Sequence, residues 1–279
     1  MSLRPLLARP LLAAHRLAGL VRRPPIGAVR MVILHDVPPL QWEALGRLVK
    51  HASRRFGVIG PDEARARLAG EAKPDRRAPV LFTFDDGFRT NFDAAGAVLD
   101  PLGVKALFFV CPGLVDLPPA QRPAAVAARV LLRPGAEAPA LMEWDDIRTL
   151  ERAGHGIGCH GMDHARLAGL GAAALEHQVG AAGRRLAAAL GHRVDWYAFT
   201  FGDVGSIDSA GLTAIGAHFP LCRSGVRGLA HAGTPPLALP AEAVDLESDW
   251  AWQCLALEGG LAPLYRRRLA RLAAMADPR

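Results

Sequence analysis

From residue 31 onwards the chain alternates between short apolar runs and longer stretches with helical spacing. "MVIL" at 31–34, "VLFTF" at 80–84, "KALFFVC" at 105–111, "GIGC" at 156–159, "DWYAFTF" at 195–201 and "FPLC" at 219–222 are rich in β-branched or aromatic residues, and each predicts a buried strand. A seventh short strand is predicted near "LALP" at 237–240. Apolar positions at Leu40, Leu45, Leu48 and Val49 predict a helix over 40–56, and a second opens at Pro61 and closes at Gly70. Further helices are predicted over 92–99, 143–154, 171–191 and 208–218, with a last one over 261–275. Strands and helices that alternate across short connections predict parallel β/α units. About seven strands in one run favour a single closed barrel over an open sheet.

Composition leaves this picture intact, with 51% hydrophobic and 22% charged residues, enough apolar material for one large core. No apolar run reaches the ~18 residues of a membrane-spanning helix. Charge separates the chain into two parts. Residues 1–30 carry Arg4, Arg9, Arg16, Arg22, Arg23 and Arg30 and no acid, which accounts for the whole net charge of +6 and leaves the rest balanced. The body at 31–279 is therefore not read as a nucleic-acid binder. Residues 1–30 form a basic N-terminal extension, too interrupted by arginine for a secretory signal. Its two readings are a peripheral contact with an anionic membrane and a loose Arg/Ala/Leu extension. A cytoplasmic or peripherally membrane-associated protein is expected. Cys111, Cys159, Cys222 and Cys254 are far apart, form no CxxC pair and are expected to be free, buried thiols.

In β/α folds chemistry gathers at the C-terminal ends of the strands. Asp85-Asp86 closes the strand at 80–84, His160 and His164 follow the strand at 156–159, and His35-Asp36 follows 31–34. Two adjacent carboxylates repel, and a bound cation relieves the repulsion; capping of the helix near Asn91 is the competing explanation. Histidines four apart can reach one metal. Gly161 stands where a zincin has its glutamate, so the base comes from elsewhere, and the Asp pair can supply one ligand and one base. His35, titrating near neutrality, suits protonation of a departing amine. A serine hydrolase is disfavoured, because no GxSxG elbow is present.

"ILHDV" at 33–37, "TFDDG" at 83–87, "HGMDH" at 160–164 and "YAFTFG" at 197–202 occur in the order seen in polysaccharide deacetylases, the carbohydrate esterases of family 4 with a NodB homology domain. The chain resembles that family over about residues 31–239. The resemblance implies a single-domain, distorted (β/α)7-type barrel and metal-dependent removal of acetyl groups from N-acetylated glycans. It implies Asp85 as general base, and Asp86, His160 and His164 as ligands of a divalent metal, zinc before cobalt or manganese. It further implies backbone N–H at Phe201 as an oxyanion donor and His35 as general acid.

The chain also departs from the family pattern. Leu34 replaces the usual Tyr, and Thr200-Phe201 stands for Pro-Tyr. Ala198 occupies a position where many members carry an arginine that orients the base, and Ala241 occupies the alternative position. Arg223 and Arg227 are candidate substitutes, but each is read first as a solvated loop charge, so no arginine is clearly assigned to Asp85, and Asp249 is read as the cap of the last helix. Two other functions stay open: a non-catalytic relative that binds glycan or a biosynthetic partner, and a metal-dependent amidohydrolase or esterase acting on a non-sugar substrate.

Overall fold

The computed structural model describes residues 4–19, 23–71 and 77–277. Seven strands, β1 (Arg30–Leu34), β2 (Val80–Phe84), β3 (Leu107–Val110), β4 (Gly156–Cys159), β5 (Trp196–Ala198), β6 (Leu221–Arg223) and β7 (Glu242–Ala243), form one parallel sheet in the order β6-β5-β4-β3-β2-β1-β7. One stretch of chain joins its two edges. Leu239 N–H donates to Cys222 O at 3.0 Å and Ser224 N–H to Leu239 O at 2.8 Å, while Glu242 and Ala243 pair with β1. The sheet thus curls into the expected distorted barrel. The seventh strand falls later than "LALP", which touches β6 at an isolated bridge, Arg223 to Leu239.

The strands are buried on both faces, which explains their continuous apolar runs. Met31, Ile33, Leu81, Leu107, Phe109 and Trp196 fill the barrel. The alternate residues, among them Val32, Phe82, Phe108 and Tyr197, pack outward in the larger core. Inside the barrel a Cβ on Gly158 would lie 2.5 Å from the Phe109 ring, so this position has room only for glycine. Parity along a strand also places the site: Asp85 and Arg223 continue the inward-facing series of β2 and β6.

The predicted helices form with shifted ends, including α2 (Trp42–Arg55) and α3 (Pro61–Leu68). Among the described residues four α-helices lie outside the expectation: Pro112–Val115, Arg122–Ala125, Trp250–Leu257 and one in the basic extension. The basic extension holds α1 (Arg4–Gly19), which buries Ala8 and Leu12 and packs against the helix Trp250–Leu257. Arg16 anchors it through Glu258 at 2.6 Å. Asp249 is a cap, its Oδ1 accepting from Ala251 N–H at 2.8 Å, but of the Trp250–Leu257 helix and not of the last helix, Arg266–Ala276. All four cysteines are free and buried. Among the described residues no helix is long and apolar enough to cross a membrane.

Candidate active site

The site begins where β2 ends. Asp85 N–H still donates to Leu34 O at 3.0 Å, so Asp85 extends the strand beside β1. The chain then turns through φ 71° at Asp86 and φ 74° at Gly87, and this turn brings both carboxylates to the barrel mouth. Neither caps a helix: Arg89–Ala94 starts after Phe88 and has no side-chain cap. Asp86, His164 (φ 60°) and Phe201 (φ 63°) are three of the four non-glycine residues with left-handed backbone among the described residues. Such conformations cost about 1–3 kcal/mol each and concentrate at functional sites.

Asp86 Oδ1 lies 3.4 Å from His160 Nε2 and 3.2 Å from His164 Nε2, and all three side chains are buried. The other ring nitrogens are committed. His160 Nδ1 is 2.7 Å from Ala198 O, and His164 Nδ1 is 3.0 Å from Arg129 O. A carbonyl only accepts, so each Nδ1 carries a proton and each Nε2 faces the Asp86 carboxylate. An imidazole nitrogen so placed against a carboxylate either takes a second proton or shares a cation with it. The donor set fits a metal ion: the three ligand atoms lie within 4.8 Å of one another, and tetrahedral bonds of ~2.0–2.1 Å give ligand–ligand edges of about 3.3 Å. Both Nδ1–H bonds also supply the orienting contacts that histidine ligands need. Burial opposes the charge on Asp86, but hydrogen bonds from His160 and His164 outweigh it and hold its carboxyl well below the usual range. Burial likewise opposes the His160 proton, yet Asp86 and then Asp85 raise its pKa above the ordinary histidine value.

Asp85 has a different partner. Arg223 Nη2 donates to Oδ1 at 2.5 Å and to Oδ2 at 2.6 Å, with both side chains buried. The guanidinium stacks over Phe109, 4.8 Å from the ring centre. The expectation of a solvated loop charge at Arg223 is therefore wrong, because β6 continues through Arg223 and turns it into the barrel. Arg227 is no solvated charge either: it donates to Glu242 Oε2 and to Ala243 O, both at 2.8 Å. Arg223 is the register partner of Ala198 on the adjacent strand, and on its other side bridges to Leu239, two residues before Ala241. The arginine missing from positions 198 and 241 thus enters from the strand between them, and alanine at both leaves it room. Arg223→Met would strand a buried carboxylate, so we expect a loss of about 3–5 kcal/mol in urea unfolding, partly recovered by Arg223→Lys. Unchanged stability in Arg223→Met would contradict a buried ion pair.

The remaining sequence candidates flank this centre. His35 is exposed at the end of β1. It lines a cleft of about 480 Å³ with Asp36, Arg227, Trp252 and Tyr265. The Phe201 ring stands edge-on to His164 at 4.8 Å under the Arg166 guanidinium. Its backbone N–H forms no hydrogen bond with the described residues. A second group with ligand-like spacing, His51, Cys254 and Glu258, does not suit a cation. Arg16 and Arg55 already hold the Glu258 carboxylate, and burial, with Glu258 beside it, pushes the Cys254 thiol up to about 11.

The parallel β/α barrel is the architecture anticipated from the motifs; at its mouth stand an Asp-His-His cluster and a second carboxylate held by an arginine that the motifs did not supply. The sequence profile described as polysaccharide deacetylase matches residues 72–216, and the chain belongs to that family. Its fold is shared with IcaB from Ammonifex degensii (19% identity, 83% of this chain and 97% of that one covered, TM-score 0.65). It is shared also with the Streptococcus pyogenes deacetylase PplD, solved in complex with acetate (14% identity, 84% and 99% covered, TM-score 0.67). A de-N-acetylase from Aggregatibacter actinomycetemcomitans is similar again (14% identity, 81% and 98% covered, TM-score 0.64). No curated protein matches the chain.

Proposed function

We propose that the protein is a metal-dependent carbohydrate N-deacetylase, hydrolysing the acetamide of an N-acetylated amino sugar in a polysaccharide or glycan precursor. The observation that carries this reading is the division of labour between adjacent carboxylates: Asp86 faces two imidazole nitrogens, and Asp85 is paired with Arg223. Asp86, His160 and His164 would hold a divalent cation, zinc before cobalt or manganese, which would supply Lewis acidity to the acetamide carbonyl and to the attacking water. Asp85, fixed through both oxygens by Arg223, accepts the proton of that water. The unpaired N–H of Phe201 donates to the oxyanion as it forms. His35 then passes a proton to the departing amine, leaving acetate and a free amino sugar.

His35 is too exposed to be held for packing. His35→Ala is expected to lower kcat by roughly 10²–10⁴-fold while metal content stays full; an unchanged rate would remove it from the reaction. The overall reading is tested by acetate release from N-acetylated oligosaccharides after chelation and zinc addition. Hydrolysis of simple acyl amides with none of the sugars would move the assignment to a non-sugar amidohydrolase. The non-catalytic alternative rested on the want of an arginine at Asp85, and Arg223 removes that ground. A peripheral contact of residues 1–30 with anionic membranes belongs to the same reading. Co-sedimentation with anionic vesicles measures it, and equal recovery with neutral vesicles would count against it.

A further inference from the structure

At the opposite end of β1 from the catalytic groups, Arg30 presents an unsolved charge. Its side chain is buried, with 8% of its surface exposed, and its Nε has no hydrogen-bond partner. Among the described residues no side-chain hydrogen bond or ion pair of Arg30 is formed; it lies over the face of Phe56 at 4.8 Å and against Gly259. Burial weakens its hold on the proton, and Arg55 adds to the effect against partial relief from Glu242 and Glu258. An unpaired buried guanidinium is expensive, so a bound acceptor is the natural way to satisfy it.

Arg30 opens into a cleft of about 460 Å³ whose walls come from α1, the start of β1, the end of α2 and the turn after Trp250–Leu257. Arg16, Arg23 and Arg55 also line it, so four guanidinium groups stand against Glu242 and Glu258. Glu258 is engaged by Arg16 and Arg55 and Glu242 by Arg227 through Oε2, while Glu242 Oε1 has no hydrogen-bond partner. Those bonds hold Arg16 and Arg55 but use only some of each guanidinium's five N–H donors. Converging guanidinium forks around a cleft of this size match a tetrahedral, multiply charged oxyanion. Leu7, Leu11 and Leu17 on the outer side of α1 are exposed, so a lipid as well as a soluble molecule could bring that anion to the cleft.

We propose that this cleft is a binding site for the phosphate group of a phosphate ester, separate from the catalytic mouth, with Arg30 as its central donor. The strand between the two sites rises by about 13 Å over four residues at ~3.3 Å each, so the sites do not share ligands.

The test uses the full-length protein at constant ionic strength, with inorganic phosphate and glycerol 3-phosphate as probes and chloride as control. Wild type should show a saturable rise in melting temperature with either probe, and the rise should persist in Asp86→Ala, which keeps the cleft but alters the metal site. Arg30→Met should weaken the apparent affinity about tenfold or more. In phosphate-free buffer it should be no less stable than wild type, because it removes an unpaired charge. If Arg30→Met does not fold, Arg30→Lys, which keeps the charge and loses the fork, should weaken binding to a smaller extent. Phosphatidylglycerol vesicles that compete with inorganic phosphate, and lose that competition in Arg30→Met, would assign the phosphate to a lipid headgroup. Binding of glycerol 3-phosphate without vesicle competition would assign it to a soluble ester. No saturable effect of either probe, or equal affinity in Arg30→Met, overturns the proposal.

Discussion

Asp86→Ala is expected to give a folded protein that does not retain zinc through purification, with acetate release at background. Among the described residues Asp86 is the only carboxylate facing both Nε2 atoms, at 3.4 and 3.2 Å. Its removal leaves two neutral nitrogens and no charge to offset a dication. The same residue governs how chelated wild-type protein responds to pH. His160 has its pKa raised in the fold, and a group raised in this way contributes stability that is complete below the unfolded value near 6.5. That contribution fades as pH climbs through the folded value. The chelated protein should therefore lose melting temperature as pH rises through and above neutrality. Zinc-loaded protein should gain across the same span, because its ligands must shed protons to bind. Both trends should flatten in Asp86→Ala. Full zinc occupancy in that variant, measured by elemental analysis, would refute the ligand assignment.

Asp85→Asn is the complementary case. The amide is nearly isosteric and can still accept from Arg223 through its oxygen, so the protein should fold and bind zinc normally. The amide cannot take a proton from water, and kcat should fall by about 10²–10⁴-fold with little change in KM. Zinc content together with a rate separates this outcome from Asp86→Ala, which loses both. Near-normal turnover in Asp85→Asn would show that the base lies elsewhere.

The groups that were legible in the sequence share one property: their chemistry is local to a strand end. Asp85-Asp86 and His160 with His164 announce themselves by type, spacing and a preceding apolar run, and the strand count follows from the same runs. What escaped depends on the neighbouring strand. Arg223 follows "FPLC" and precedes Ser-Gly, so it reads as the start of a loop, and only the register of β6 with β5 reveals that it points inward beside Ala198. The carbonyls of Ala198 and Arg129, which hold the two histidines, carry no sequence signal, since any residue offers one. The helix in the basic extension was hidden for a related reason. Its buried face is only Ala8 and Leu12, and its anchor, Glu258, lies 242 residues away from Arg16.

The Asp85–Arg223 bond also joins residues 138 positions apart in the chain. Contacts of such separation form late in folding, since a long loop must close first. In the proposed mechanism a chain folded only through β5 would hold both histidines and both aspartates with Asp85 lacking its arginine. The proposed chemistry therefore waits for the docking of β6, in the last third of the polypeptide.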